Sequence, residues 1–295
     1  MSAISEHKHM AVSQADTFNY FRRRLQNQLM LTITGIAAGL SVLALLLVLY
    51  YIAVRGLQVI EIDFFLELPT PVGIPGGGIS NAIMGSVVLV GLASSFSIPI
   101  GLGAGIYLSE FGRNRFADLV RYLADVLAGV PSIVVGIFAY ALIVARQGQF
   151  SALSGGFALG VMMLPHITRI TEEMLNLVPN SLREAGLALG WPRWRVIVQV
   201  VLPTAVRGVL TGIVLAIARV AGETAPLLFT SFGNPFWNTN INEPIAAMPH
   251  TLFVYAISPY TDWRDKAWGT ALVLTFLVLL ASILVRQVGA RQKHI

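Results

Sequence analysis

The chain has 295 residues, of which 55% are hydrophobic and only 12% are charged, and its net charge is +5. Soluble domains usually carry roughly 25% charged residues, so the composition indicates a membrane protein. The sequence contains no cysteine, which excludes disulfides, zinc–thiolate sites and a thiol nucleophile. The basic residues are spread between apolar segments, which favours cytoplasmic loops of a membrane protein over a nucleic-acid-binding surface.

Apolar segments recur along the chain at about the length of roughly 20 residues that a helix needs to cross a bilayer. In chain order they are 31–54, 81–108, 122–145, 153–168, 208–229 and 267–285. The fourth is the shortest and contains His166, which we expect to pack at the interface rather than to relay protons. Gly101 and Gly105 in the second have the spacing that lets helices approach closely. The sequence therefore predicts an all-α, polytopic membrane protein with about six transmembrane helices.

The connecting segments differ in their content of arginine and lysine. The basic set consists of residues 1–28, the link between the second and third spans, residues 169–207 and the tail at 287–295. The loops at 56–80 and 231–266 are poorer in basic residues. Because basic loops stay in the cytoplasm, we predict that those two loops are external, that both termini are cytoplasmic, and that residues 29–286 form the transmembrane domain. Residues 1–28 lack the apolar core of a signal peptide.

Two charged residues lie inside the fifth span. Arg219 is about 17 Å along the helix from residue 208, near the middle of a hydrocarbon core of about 30 Å. A charge at that depth costs about 2.5 kcal/mol or more. Glu223 is four residues further on and would share a helix face with Arg219, while Gly222 and Pro226 predict an irregular backbone beside them. The two charges either neutralise each other or line a path for an anion.

Chemistry limits which anion such a path would suit. The planar guanidinium of Arg219 offers a fork of donors that fits an oxyanion. The Glu223 carboxylate would repel an anion unless the anion has a proton to donate. Phosphate keeps at least one P–OH group near neutral pH, and sulfate has none. The pair is therefore compatible with phosphate and awkward for sulfate, and an ion-coupled secondary transporter is the alternative from another class of protein.

Other polar residues give no sign of an enzyme. Asp125 is four residues after Arg121 and is expected to form a structural pair with it. Glu172 and Glu173, beside Arg169, are expected to belong to the fold of the cytoplasmic loop. The sequence shows no carboxylate dyad, metal-ligand cluster or nucleophile–base arrangement.

The most specific pattern lies within residues 169–207. It consists of Glu184-Ala185-Gly186, three residues, Gly190, nine residues and then Val200-x-Leu202-Pro203. This spacing resembles the EAA loop of bacterial ABC importer permeases, with Gly186 in place of the second alanine and Val200 in place of isoleucine. In that family the loop sits in a cleft of a separate ATPase subunit and passes its motion to the membrane helices.

The residue types suit a docking helix. Ala185, Gly186 and Ala188 would give its contact face the small side chains that a groove requires. Gly190 can adopt a positive φ and end the helix, and Pro203 is tolerated in a first helical turn. None of the lysines follows a glycine, so the sequence contains no Walker A loop and ATP is expected on a partner subunit.

Three further segments narrow the family. They are residues 218–230 (ARVAGETAPLLFT), residues 127–136 (LAGVPSIVVG) and Arg169-x-x-Glu172-Glu173-Met174. These are similar to the PstA permeases of phosphate ABC importers, and the resemblance covers most of residues 81–285. It implies the type I ABC importer permease fold, a location in the bacterial inner membrane and no cofactor in this chain.

The resemblance also implies partners and roles. The partners would be a PstC-like sister permease, two copies of a PstB-like ATPase and a periplasmic PstS-like phosphate-binding protein. Arg219, Glu223 and Thr224 would line the substrate path. The residues that contact the ATPase would be Glu184, Ala185, Gly186, Gly190, Leu202 and Pro203. Permeases of the same architecture for phosphonate, molybdate or sulfate remain an alternative.

Overall fold

The protein is described by a computed structural model that covers residues 2–74 and 76–290, with side chains for residues 19–74 and 76–283. Its regular structure in these ranges is helical, apart from one isolated bridge between Phe232 and Ile245. The helices are α1 (Ser2–Gly56), α2 (Ile62–Leu66), α3 (Ser80–Phe111), α4 (Arg115–Gly129), α5 (Ser132–Ala139), α6 (Ala145–Gln147), α7 (Ala152–Asn176), α8 (Asn180–Ala188), α9 (Arg193–Val196), α10 (Leu202–Ala221), α11 (Ala225–Leu228), α12 (Met248–Ala256) and α13 (Thr261–Ala290). Two π-helical turns, Tyr140–Val144 and Ile197–Val201, link α5 to α6 and α9 to α10.

The chain divides into two compact units, Met1–Val54 and Arg55–Ile295. The first unit contains α1 up to Val54, so most of the predicted N-terminal segment at 1–28 is helical in continuity with the first span. The second unit holds the remaining helices. The last residues of the predicted tail at 287–295, from 291 onward, lie outside the described residues.

Long apolar helices account for most of the predicted spans. Within residues 2–74 and 76–290, four runs are long and apolar enough to cross a membrane: Asn19–Gly56, Ser80–Phe111, Arg193–Ala221 and Thr261–Ile283. Helices α4 and α5 form a fifth candidate when they are taken as one bent span. The predicted span at 153–168 corresponds to α7. With 25 residues it is about 37 Å long, which exceeds the thickness of the hydrocarbon core.

Helix α7 does not need a strongly apolar sequence, because much of its surface contacts other helices of the protein. Fourteen of its 25 residues are buried, among them several glycines and the charged Glu172. It packs against α3, α4, α5 and α10, and so forms the centre of the second unit. Buried side chains of α3, α7 and α10, such as Leu89, Met163 and Val209, belong to the main hydrophobic core.

The third predicted span, residues 122–145, is not one straight helix. It is broken after Gly129, and α4 and α5 are bent by 103°. Pro131 explains the break. The residue before a proline is driven out of the α region, and Val130 is extended with φ −70° and ψ 131°. Proline also has no N–H to continue the hydrogen bonds of α4, but it is tolerated where the next helix begins.

The fifth predicted span, 208–229, has different ends from those expected. Helix α10 stops at Ala221, with Gly222 at its C-cap, and the short α11 starts after Thr224. In the other direction the helix continues without interruption back to Arg193. Pro203 lies in the first turn of α10, as expected, but no loop separates α10 from the helical turns before it. Since Pro203 cannot donate to the carbonyl of Gln199, the backbone widens into a π-helical turn just before it.

Two glycines of α3 allow close contact with α7, as the sequence predicted. A Cβ atom added to Gly105 would lie 2.5 Å from the Cβ of Thr171. One added to Gly101 would lie 2.8 Å from the Cβ of Ile167. Both distances are far below van der Waals contact, so larger side chains would force the helices apart.

Replacing Gly105 with valine is expected to destabilise the protein by about 1–3 kcal/mol, the usual effect of overpacking a core. Gly103→Val is the matched control, because Gly103 lies on the same helix and nothing lies within 4 Å of its Cβ position. The thermal unfolding midpoints of the two purified variants would be compared. Equal shifts for both would show that the α3–α7 contact is not the cause.

Candidate functional site

The guanidinium of Arg219 contacts an imidazole rather than a carboxylate. Arg219 lies in the last turn of α10, and its Nη1 is 2.5 Å from Nε2 of His166 on α7. Arginine has only donors, so in this contact Nε2 can only act as the acceptor, which corresponds to the imidazole tautomer with its proton on Nδ1. Within the described residues, Nδ1 of His166 is buried and has no hydrogen-bond partner.

Glu223 does not share a helix face with Arg219, which corrects the expectation from their spacing. The face is lost because α10 ends at Ala221, and Glu223 lies in the linker that follows. Its backbone N–H bonds to the carbonyl of Val220 at 3.1 Å, as at a helix end. The half-buried carboxylate makes no hydrogen bond or ion pair with the described side chains. Thr224 lies next to it, with Oγ1 3.5 Å from the carbonyl of Pro249.

The two segments that carry the irregular backbone meet in space. Helix α11, which follows Thr224, packs against α5, which follows the bend at Pro131. A Cβ atom added to Gly136 would lie 2.7 Å from the Cα of Pro226, so glycine is needed for this approach. The bend and the end of α10 therefore form one irregular region beside α7.

Arg219 and His166 open onto a narrow crevice at this irregular region. Its walls come from the end of α4, from α7 and from α10, and include Leu127, Val130 and Met162. The cavity volume is about 20 Å³, which is close to the space of one water molecule. An oxyanion of the size of phosphate does not fit inside this crevice, and Arg219 is exposed at its edge.

A network of ion pairs joins α4 to α7 one turn along α7 from His166. Arg121 bonds to Glu172 at 2.6 Å, and Arg169 bonds to Asp125 at 3.1 Å and to Glu172 at 3.3 Å. The expected pairing of Asp125 with Arg121 is therefore wrong. Arg121 turns instead toward Glu172, whose side chain is only 6% exposed, and together with Arg169 it neutralises this buried carboxylate.

Helices α8 and α9 form a hairpin, residues 180–196, that carries the EAA-like pattern. Glu184, Ala185 and Ala188 are exposed on α8. Gly186 is buried instead, since a Cβ added there would lie 2.9 Å from Cγ2 of Val196. The expectation that Gly186 belongs to the exposed contact face is therefore wrong. Gly186 instead allows α8 to pack closely against Val196 of α9. The predicted loop at 169–207 is also shorter than expected, because α7 extends to Asn176.

Gly190 ends α8 in the conformation that the sequence predicted. Its φ is +79°. Its N–H bonds to the carbonyl of Leu187 at 2.9 Å, and the N–H of Trp191 bonds to the carbonyl of Gly186 at 3.3 Å. These two bonds form a Schellman motif, which requires a left-handed residue at the position of Gly190.

Arg183 anchors the hairpin to the rest of the protein, a role that the sequence analysis missed. Its guanidinium bonds to Glu110 near the end of α3 at 2.8 Å and to the carbonyl of Leu175 at 2.8 Å. It also bonds to the carbonyl of Val178 at 2.5 Å. A signal was present, because Glu110 is the one acidic residue between Glu67 and Asp118 and ends a long uncharged stretch.

Replacing Arg183 with methionine is expected to destabilise the attachment of the hairpin by about 2 kcal/mol or more, because Glu110 would be left without its partner. Hydrogen exchange of residues 177–192 would rise, and the thermal unfolding midpoint would fall. Arg146→Met is the control, since Arg146 is exposed at the end of α6. Unchanged exchange in Arg183→Met would contradict the anchoring role.

A larger cavity lies elsewhere, between the two irregular loops that the sequence placed outside. Its volume is about 600 Å³, and aromatic side chains such as Phe232, Phe236 and Trp263 line it. No Asp, Glu, Lys or Arg is among its lining residues. It therefore lacks the charge that an anion needs, and the crevice at Arg219 is the better candidate. Among the residues that the structure describes, no cluster of His, Asp and Glu is arranged to hold a metal ion.

Comparisons with known proteins agree with this architecture. The profile of the family described as "Binding-protein-dependent transport system inner membrane component" matches residues 97–294. The phosphate transport system permease protein PstA of Yersinia pestis is 44% identical over 273 residues, which cover 92% of both chains. That of Xylella fastidiosa (strain Temecula1) is 45% identical over 284 residues, 96% of this chain and 99% of the relative.

Solved structures support the fold. A chain of the MetNI methionine ABC transporter, in an inward facing conformation, superposes with a TM-score of 0.60 and covers 72% of this chain and 95% of its own length. Its sequence identity is 17%, so it shows the fold alone. The predicted type I ABC importer permease fold and the predicted resemblance are thus confirmed. The chain belongs to the family of binding-protein-dependent transport system inner membrane components and, within that family, among the PstA permeases.

Proposed function

We propose that the chain is the membrane-spanning permease subunit of an ATP-driven phosphate importer, with Arg219 as the main contact for the anion. The observation that carries this proposal is the position of the Arg219 guanidinium at a narrow crevice between α4, α7 and α10. Charged residues inside spans usually face such a path. Relatives named as phosphate transport permeases supply the substrate class.

Transport requires the crevice to widen, because a phosphate ion does not fit in about 20 Å³. Arg219 then offers a fork of donors to the phosphate oxygens. Glu223 and Thr224, in the linker after α10, lie further along the same path. A tight site would slow release, so a transient contact to a single guanidinium is suited to conduction.

The helix from Arg193 to Ala221 is suited to link the ATPase to the path. It has 29 residues and is about 43 Å long. One end continues from the α8–α9 hairpin, and the other carries Arg219. A movement of the hairpin would therefore shift Arg219 relative to α7. The residues proposed to meet the ATPase are Glu184, Ala185 and Gly190 at the exposed side, with Gly186, Leu202 and Pro203 shaping the hairpin and its exit.

The proposed assembly contains a PstC-like sister permease, two copies of a PstB-like ATPase and a periplasmic PstS-like phosphate-binding protein. ATP binds to the ATPase subunits. The chain lies in the bacterial inner membrane with both termini and the α8–α9 hairpin in the cytoplasm, an orientation supported by the basic residues around the hairpin. The loops at 56–80 and 231–266 then face the binding protein.

Uptake of radiolabelled phosphate into proteoliposomes that contain the whole complex tests the proposal. We expect uptake to require ATP and the binding protein, and to resist competition by sulfate, molybdate and phosphonate. Uptake by the permease without the ATPase would instead favour a secondary transporter. If one of these competing oxyanions inhibited uptake as strongly as unlabelled phosphate does, that oxyanion would be a substrate of the permease.

A further inference from the structure

His166 presents a hydrogen-bond acceptor beside the guanidinium of Arg219. The 2.5 Å contact between Nη1 and Nε2 places a lone pair of the imidazole next to a fixed positive charge. Both side chains line the narrow crevice. The crevice therefore offers two functions together, a donor fork from α10 and a neutral acceptor from α7.

These two functions match a protonated oxyanion. The charged oxygens of phosphate accept hydrogen bonds from Arg219, while a P–O–H group donates one to Nε2 of His166. Sulfate and other fully deprotonated oxyanions carry only acceptors, so they gain no hydrogen bond from Nε2 while the imidazole proton stays on Nδ1. The requirement for a proton donor on the substrate is therefore met at His166, without a carboxylate.

Glu223 is less suited to this role in the structure. It lies beyond the end of α10 and is absent from the crevice lining that Arg219 and His166 share. In this structure His166 also contacts the guanidinium of Arg219 directly. An entering phosphate would separate the two side chains and replace their one contact with a hydrogen bond to each of them.

We infer that His166 is a specificity-determining contact, whose Nε2 accepts the P–O–H proton of phosphate in a hydrogen bond while Arg219 binds the charged oxygens. The proton is shared and not transferred. The inference rests on the proposed function, since it concerns the same path and the same ion.

The test compares His166→Leu, which removes the acceptor, with His166→Gln, which keeps one in its amide oxygen. Each variant is reconstituted as the whole complex, and ATP-driven uptake is measured for phosphate and for monofluorophosphate, a phosphate analogue without P–OH near neutral pH. Loading of the binding protein with each ion is matched beforehand. We expect His166→Leu to lower phosphate uptake about tenfold, the effect of losing one hydrogen bond to a charged group. Monofluorophosphate uptake should be slow in the wild type and unchanged in this variant.

Complex recovery and basal ATP hydrolysis show whether each variant is folded. Restoration of phosphate uptake by His166→Gln would support an acceptor role, whereas equal losses in the two variants, or no loss in either, would overturn it. The wild-type complex gives a test that needs no variant, because similar rates for equally loaded phosphate and monofluorophosphate would also overturn the inference. A wild-type complex that takes up no phosphate would contradict the proposed function itself, which is a different result.

Discussion

Replacing Arg219 with glutamine is expected to lower ATP-driven phosphate uptake by about a hundredfold or more while the complex still assembles. Glutamine has nearly the same helix propensity as arginine, so α10 should keep its structure. The variant loses the positive charge and the fork, and two charge-assisted hydrogen bonds of about 1.5 kcal/mol each correspond to that factor. Uptake of radiolabelled phosphate into proteoliposomes would be measured at equal amounts of recovered complex.

Two further variants make the result specific. Arg219→Lys keeps the charge but not the planar fork, and we expect it to lose about tenfold, between the wild type and glutamine. Arg146→Gln makes the same chemical change at an exposed arginine at the end of α6, and its uptake should equal that of the wild type. Wild-type uptake in Arg219→Gln would remove Arg219 from the transport path.

The membrane helices could be predicted because the length and apolar character of each span are properties of its own residues. A bilayer of fixed thickness demands an apolar stretch of a certain length, and runs such as Ser80–Phe111 satisfy it without reference to the rest of the chain. The left-handed conformation of Gly190 is local in the same way, since its Schellman bonds join residues at most five positions apart. The hairpin was identified differently, through the resemblance of its residue spacing to the EAA loop.

The contacts of the charged residues were harder to predict, because they depend on where helices end and which helices meet. Helix α10 ends earlier than predicted, with Gly222 at its C-cap, and this early end separates Glu223 from the helix face of Arg219. His166 and Arg219 are 53 residues apart, and Arg183 and Glu110 are 73 apart. No periodicity in one helix can indicate such partners. The bend at Pro131 is different, since proline is a local signal that a continuous apolar pattern concealed.

Replacing Gly190 with tryptophan is expected to lower phosphate uptake more than tenfold and to weaken recovery of the ATPase with the permease. Gly190 has φ +79°, and for a residue other than glycine this left-handed conformation is less favourable by about 1–2 kcal/mol. The Schellman bonds that end α8 would weaken, so Glu184 and Ala185 would lose their fixed positions. The large indole would also protrude from the hairpin, because nothing lies within 4 Å of the Cβ position.

Gly148→Trp separates this docking effect from backbone strain. Gly148 follows α6 with φ +71°, and its Cβ position is equally open. Both variants should therefore destabilise the protein to a similar extent, while only Gly190→Trp should reduce ATPase recovery in size-exclusion chromatography. Gly190→Asn should be close to the wild type, since asparagine tolerates positive φ. Normal ATPase recovery and uptake in Gly190→Trp would mean that the α8–α9 hairpin does not couple ATP hydrolysis to transport.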